Sequence, residues 1–168
     1  MVHGRRDGCA VSWRPVAIGA AAVGSGLVGG VLFAFSSFVM PALRRIPPAQ
    51  GIPAMQSINR QAPTFAFMSL AGATAVVSAG VGIHAALNRD EPGTAWIATG
   101  TVAYLAAIVI TGAFNVPRND RLNTFDATTP AAADYWQTFL SEWIVGNHVR
   151  TACCILAAAS FTAALRST

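Results

Sequence analysis

Long apolar stretches separated by polar connections make up most of the sequence. Four of these stretches, residues 16–40, 64–87, 94–116 and 143–165, contain no acidic residue. At a rise of about 1.5 Å per residue, about 20 helical residues cross the roughly 30 Å hydrocarbon layer of a bilayer. Each stretch is therefore long enough to span a membrane as a helix.

The composition of the stretches favours helices over barrel strands. They are rich in Ala, Gly, Val and Leu and show no strict alternation of polar and apolar residues, which a lipid-facing barrel strand requires. The sequence therefore predicts an all-α fold, an integral membrane four-helix bundle. We expect residues 14–168 to form this single domain, after a polar leader at residues 1–13.

The connections between the stretches carry their own structural signals. Residues 54–59 are expected to form a short interfacial helix within the proline-rich connection 41–63. The third span is expected to stop at Asn115, because Pro117 disfavours helix in the residue before it. Residues 131–146 are amphipathic and predict an interfacial helix that leads into the fourth span.

The chain is 54% hydrophobic and 11% charged, and all eleven basic residues are arginine. These arginines are scattered over short loops and form no basic patch, so nucleic acid is not an expected partner. They are almost evenly divided between the two sides of the membrane, and an even number of spans places both termini together. We expect both termini in the cytoplasm, with the protein multi-pass in a bacterial inner (plasma) membrane.

Polar residues cluster at one end of the predicted bundle. Because successive helices alternate in direction, the end of the first span, the start of the second, the end of the third and the start of the fourth share one membrane face. Trp143, Asn147 and Arg150 form one helical stripe there, since they lie at positions i, i+4 and i+7. The whole set comprises Asn59, Asn115, Asn119, Asp120, Trp143, Asn147, His148 and Arg150.

A charged residue in a membrane helix is costly and indicates a functional site with a partner. Arg150 and His148 are the candidates, with Asp120 or Glu142 as the counter-ion of Arg150. A structural interpretation stays open, because Asn also caps helices, Trp anchors at interfaces and Arg extends to headgroups.

Metal and haem chemistry are not predicted. His84 and His148 belong near opposite membrane faces and cannot ligate one haem iron. The polar end has one histidine and isolated carboxylates, fewer ligands than zinc, copper or non-haem iron requires. Cys9, Cys153 and Cys154 lack zinc or redox spacing and are expected to be free thiols.

Four strings in the sequence are distinctive: residues 33–43 (FAFSSFVMPAL), 55–59 (MQSIN), 114–120 (FNVPRND) and 143–151 (WIVGNHVRT). Together they resemble the anthrone-oxygenase-like family of small four-helix membrane proteins. The resemblance covers most of the chain from the first span onward. It implies oxidation of an anthrone to an anthraquinone by O₂, without a cofactor.

The polar residues suit that implied reaction. The methylene of an anthrone is acidic, and its enolate can reduce O₂ directly, so the protein need supply only a base, oxyanion donors and a dry site. We expect His148 to act as the base and Arg150, Asn115 and Asn147 to stabilise the developing anion. Asn119 and Asn59 would bind substrate oxygens, while Trp143 and Phe38 would stack on a flat aromatic ring.

Two other functions remain open from the sequence. The protein is a non-enzymatic membrane scaffold, accessory subunit or lipid-binding protein if the polar residues only seal the bundle. Carriage of a small solute is the third, although no broken helix or mid-membrane charge supports it. The expected ligand is a hydrophobic aromatic molecule or a lipid. The repeat Ala22, Gly26 and Gly30 also offers a smooth helix face for a homo-oligomer.

Overall fold

The computed structural model describes residues 13–167, and every regular element among them is helical. The order is α1 (Trp13–Ala34), a first π turn (Phe35–Val39), α2 (Met40–Arg45), α3 (Pro48–Gln61), α4 (Phe65–Leu87), α5 (Thr94–Ile110), a second π turn (Thr111–Asn115), α6 (Val116–Asn123) and α7 (Pro130–Leu165). Residues 1–12 of the expected leader lie outside the described residues, and Trp13 already belongs to α1.

Four helical stretches are long and apolar enough to cross a membrane, which confirms the predicted fold class. They are Trp13–Arg45, Phe65–Leu87, Thr94–Asn123 and Pro130–Leu165. The last is one continuous helix of 36 residues, so the amphipathic segment does lead directly into the fourth span. Its start is capped by Thr129, whose hydroxyl accepts a hydrogen bond from the backbone N–H of Ala132 at 3.3 Å.

The third span does not stop at Asn115, contrary to the prediction. It passes through the second π turn and continues as α6, with Pro117 in the first turn of that helix. The N–H of Val116 bonds to the carbonyl of Thr111, five residues earlier, and this change of hydrogen-bond register at the π turn accommodates a following residue without a backbone N–H. The interfacial helix in the 41–63 connection is likewise longer than expected and spans the whole of α3.

The four spans form a closed ring. α7 packs along α1 and α5, and α4 packs along the same two helices, so α4 and α7 lie opposite each other. A tight turn joins α4 to α5 and makes them antiparallel neighbours. Gly93 lies in that turn with φ of 80°, a left-handed conformation that favours glycine.

A second hydrophobic core covers one end of the ring. Four segments form this core: α2, α3, α6 and the first half of α7. Together we call them the cap. Gln56 of α3 ties the cap together by donating to the carbonyls of Leu122 at 3.0 Å and Phe125 at 2.9 Å. The buried residues of the cap core are Met40, Leu43, Ile52, Met55, Leu122, Ala132, Trp136, Phe139, Leu140 and Trp143.

The loop before α7 is held by Asp126. Its carboxylate accepts hydrogen bonds from the backbone N–H of Thr128 at 2.9 Å and from the Thr128 hydroxyl at 2.8 Å. These bonds stabilise the ionised form and lower the pKa of the Asp126 carboxyl below its ordinary value.

Candidate functional site

Two π turns interrupt α1 and α5 at the same end of the ring, just below the cap. A π turn widens the helix locally and is frequent at functional sites. Ser36 belongs to the first turn, while Thr111 and Asn115 begin and end the second. All three side chains make hydrogen bonds with residues of α7.

Asn147 links α7 to α1. Its side-chain amide donates to the backbone carbonyl of Leu32 at 2.8 Å and to the hydroxyl of Ser36 at 2.6 Å. Its carbonyl oxygen accepts a hydrogen bond from Nε of Arg150 at 3.0 Å. Asn147 is fully buried, so its bonding capacity is used to orient the arginine against the first span.

Arg150 is buried, with 7% of its surface exposed. Its Nη1 donates to the hydroxyl of Thr111 at 3.3 Å, and its guanidinium lies 5.0 Å from the ring centroid of Trp143. Its partners among residues 13–167 are all neutral. A buried charge of this kind is costly unless a counter-charge or a polar network compensates for it.

The counter-ions expected for Arg150 are not found, and that prediction is wrong. Glu142 instead pairs with Arg118, whose Nε lies 2.9 Å from the carboxylate. Asp120 is exposed and forms no ion pair with Arg150. Asp120 and Glu142 are both exposed, whereas the guanidinium of Arg150 is buried.

Asn115 and Trp143 complete the cluster. The Asn115 amide donates to the backbone carbonyl of Trp143 at 3.1 Å, whereas its carbonyl oxygen is buried without a hydrogen-bond partner among the described residues. The indole N–H of Trp143 donates to the side-chain oxygen of Asn119 at 2.7 Å. Gly146 leaves room for this arrangement, since a Cβ there would lie 2.8 Å from the unpaired Asn115 oxygen.

The structure brings together five of the eight residues singled out from the sequence. We define the Arg150 cluster as Asn115, Asn119, Trp143, Asn147 and Arg150, with Ser36 and Thr111 as its further members.

Three expected site residues lie outside the Arg150 cluster. His148 is exposed on the outer face of α7, because the position after Asn147 turns about 100° away from the stripe. Phe38 is 63% exposed. Asn59 lies in the cap, where its amide donates to the side chain of Asn123 at 3.5 Å.

Two contributors were missed by sequence reasoning. Phe35, not Phe38, packs against Trp143, with ring centroids 5.7 Å apart. Ser36 bonds directly to Asn147. Ser36 follows Leu32 by four residues, so helical periodicity from the buried face of α1 was a signal that could have identified it.

His84 lies at the other end of the ring and is held in a structural network. Its Nε2 lies 3.3 Å from the carboxylate of Glu91, which also pairs with Arg14 at 3.0 Å. Asn88 lies within 3.3 Å of the other ring nitrogen, and Trp13 contacts the ring edge-on. These contacts join the start of α1 to the turn between α4 and α5.

The described residues contain no group of three or more His, Cys, Asp or Glu side chains that could hold a metal ion. Cys153 and Cys154 are free thiols, as expected, whereas Cys9 lies outside the described residues. The donors of the Arg150 cluster are amides, hydroxyls, one indole N–H and one guanidinium. Such a set suits an anionic or carbonyl oxygen, which hydrogen-bond donors can stabilise.

Comparison with known proteins gives one match. The sequence model of the anthrone oxygenase family matches residues 54–160, more than half of the 168-residue chain. The matched region includes three of the four distinctive strings, and the first, at residues 33–43, precedes it. No curated protein and no solved structure matches the chain.

Proposed function

Because this chain belongs to the anthrone oxygenase family, we propose that it is a cofactor-independent oxygenase that uses O₂ to oxidise an anthrone-like phenolic aromatic. The observation that carries the proposal is the burial of Arg150 with neutral partners alone among the described residues. An uncompensated guanidinium in an apolar bundle favours a ligand that is, or becomes, an anion.

The reaction itself develops such an anion. Loss of a proton from the methylene of the anthrone gives an enolate, whose negative charge is shared with the ketone oxygen. The enolate transfers an electron to O₂, and the resulting radicals combine to form a C–O bond at the former methylene. The peroxide anion formed in this way takes up a proton, and loss of water from the resulting hydroperoxide gives the anthraquinone. One anthrone and one O₂ are converted into one anthraquinone and one water.

Arg150 supports the first step by stabilising the enolate oxygen. Donors held in place in a water-poor site are worth about 10²–10³ in rate each, because they need no reorganisation as charge develops. Asn147 and Thr111 orient the guanidinium through its Nε and Nη1, which leaves Nη2 without a hydrogen bond to a described residue. Asn115 and Trp143 supply a polar oxygen and an aromatic surface beside it.

In this proposal His148 does not act as the catalytic base, because its side chain is exposed on the outer face of α7. The proton leaves instead to water or hydroxide, and the role of Arg150 is to make the methylene more acidic. This division of roles predicts a rate that rises with pH, because hydroxide becomes more abundant.

The test is O₂ uptake by the purified protein in lipid nanodiscs supplied with 1,8-dihydroxyanthrone, with anthraquinone formation followed by absorbance. We expect turnover well above the protein-free autoxidation rate, with one O₂ consumed per quinone formed. Arg150→Gln should reduce turnover about 10²-fold. The matched control is Arg45→Gln, at an exposed position outside the cluster. Wild-type turnover equal to autoxidation would refute the proposal.

A non-enzymatic role is the alternative, and one observation favours it. Gly146 is closely packed against Phe114 and Asn115, so that part of the cluster is filled by the protein's own side chains. In a scaffold or lipid-binding protein, the cluster would serve only to fasten α7 to α1 and α5. Substitutions in it would then change stability and expression, and no oxidation of an anthrone would be detected.

A further inference from the structure

The cap blocks the path of a large molecule to the Arg150 cluster along the bundle axis. Ile52, Met55, Leu122 and Trp136 of the cap core are each at most 1% exposed. A flat aromatic molecule approaching along the bundle axis would have to displace this close-packed layer. Access to the cluster must therefore be sought along the sides of the ring, where the helices face lipid.

The side formed by α4 is the most weakly packed. From Ala71 onward a buried residue recurs every three or four positions, at Ala71, Thr74, Ser78, Val81 and Ala85. The same stripe continued backward reaches Phe67, which is only partly buried, and residues 65–70 include no buried residue. Phe65 is 90% exposed. The first two turns of α4 are thus not fully covered by the neighbouring helices.

This incompletely covered seam between α4 and its neighbours, which we call the opening, lies at the depth of the Arg150 cluster. Gly24 of α1 packs against Thr74 of α4. Because α1 and α4 are antiparallel, seven residues forward from Gly24 and seven residues back from Thr74 lead to the same level, so Val31 lies beside Phe67. Val31 is 41% exposed, as expected for an incomplete seam. The next residue, Leu32, is the one whose carbonyl accepts the hydrogen bond from Asn147.

Thr111 connects the opening to the guanidinium. Its side chain is only partly buried, yet its hydroxyl accepts the hydrogen bond from Nη1 of Arg150. Ile108, one turn earlier on α5, is also partly buried. Tyr104, one turn before Ile108, donates to the carbonyl of Ala71 on α4, so Ile108 and Thr111 continue the same stripe of α5 along the first turns of α4.

We infer that the opening bounded by Val31, Phe67, Leu70, Ile108 and Thr111 is the route by which a planar aromatic substrate passes from the bilayer to Arg150. The inference rests on the proposed function for the identity of the substrate. The apolar walls match a ligand that partitions into lipid, and the positive charge behind them matches the enolate that it forms. The first turns of α4 act as the wall that the substrate passes.

The experiment obstructs or widens the opening by substitution, and it measures substrate binding separately from turnover. Leu70→Trp places a bulky indole ring in the opening, and Val76→Trp places the same ring on the outer face of α4, where Val76 is 73% exposed. In nanodiscs, we expect Leu70→Trp to lower kcat/KM for 1,8-dihydroxyanthrone about tenfold with kcat unchanged, while Val76→Trp matches wild type. Phe67→Ala, which widens the opening, should raise kcat/KM, whereas Phe65→Ala should not.

Binding is followed by the fluorescence of 1,8-dihydroxyanthraquinone mixed rapidly with the nanodiscs. Leu70→Trp should slow association about tenfold and Phe67→Ala should accelerate it. If turnover is normal but all four variants associate at the wild-type rate, the route is overturned while the oxygenase proposal stands. If no variant or wild type turns over the anthrone but binding still follows the opening, the oxygenase proposal fails and the route remains.

Discussion

The guanidinium of Arg150 lies 5.0 Å above the ring of Trp143, and no carboxylate of residues 13–167 pairs with it. Both residues belong to α7 and are separated by two helical turns. The indole ring is fixed in turn by Asn119, and the guanidinium by Asn147 and Thr111. The charge is therefore held in place by neutral groups on three helices.

Arg150→Met separates the catalytic from the structural interpretation. Removing the charge relieves its desolvation cost, but it also leaves the carbonyl oxygen of Asn147 without its donor. These effects oppose each other, so we expect the free energy of unfolding to change by no more than about 1 kcal/mol. Turnover of the anthrone should fall about 10²-fold. Unfolding by SDS in mixed micelles and O₂ uptake measure the two quantities.

The structural interpretation predicts the opposite pattern. If Arg150 only fastens the helices, Arg150→Met should lower stability by several kcal/mol without any activity to lose. Arg45→Met serves as the matched control, because Arg45 is exposed and its loss should alter neither quantity.

Trp143→Phe tests how far the indole ring of Trp143 stabilises the guanidinium of Arg150 that lies over it. The variant keeps an aromatic ring but loses the 2.7 Å hydrogen bond to Asn119 and weakens the cation–π contact. We expect a loss of about 0.5–1.5 kcal/mol in unfolding free energy, with a lower kcat and little change in KM. Trp96→Phe is the control, because Trp96 is 50% exposed. Equal effects of the two substitutions would contradict a special role for Trp143.

Much of the fold follows from hydrophobic length, which is why the four spans and the continuous helix 130–165 could be predicted. The stripe of Trp143, Asn147 and Arg150 was equally accessible, because helical periodicity fixes which residues share a face. The same periodicity placed His148 off the stripe, and its chemical suitability as a base outweighed that geometry in the sequence interpretation.

The π turns and the cap could not be predicted in this way. A π turn depends on how a helix packs against its neighbours, and no residue type specifies it. The second π turn lets the third span continue through Pro117 into α6. The cap core assembles residues from four separate segments, and pairing among them is a tertiary property that a single helical pattern does not contain.

Asn147→Ala and His148→Ala form a matched pair of adjacent substitutions. Asn147 is buried and bonds to Leu32, Ser36 and Arg150, so its truncation leaves a hydroxyl and a guanidinium N–H unpartnered. We expect a loss of about 1–3 kcal/mol in unfolding free energy and a drop in turnover. His148→Ala should leave both unchanged, because the imidazole lies outside the cluster. Turnover abolished by His148→Ala would instead restore the imidazole as the base.

Gly146→Ala tests whether close packing between α7 and the second π turn sets the position of Asn115. A methyl group at residue 146 would lie 2.5 Å from Cδ1 of Phe114 and 2.8 Å from the unpaired Asn115 oxygen, so both side chains must shift. Overpacking of this kind costs about 1–3 kcal/mol. Gly112→Ala is the matched control within the π turn, since a Cβ there has no neighbour within 4 Å.

SDS unfolding should show a clear loss of unfolding free energy for Gly146→Ala and a change of at most about 0.5 kcal/mol for Gly112→Ala. Because the displaced Asn115 borders the Arg150 cluster, only the former should also reduce turnover, and equal turnover in both variants would show that the position of Asn115 does not matter for the reaction.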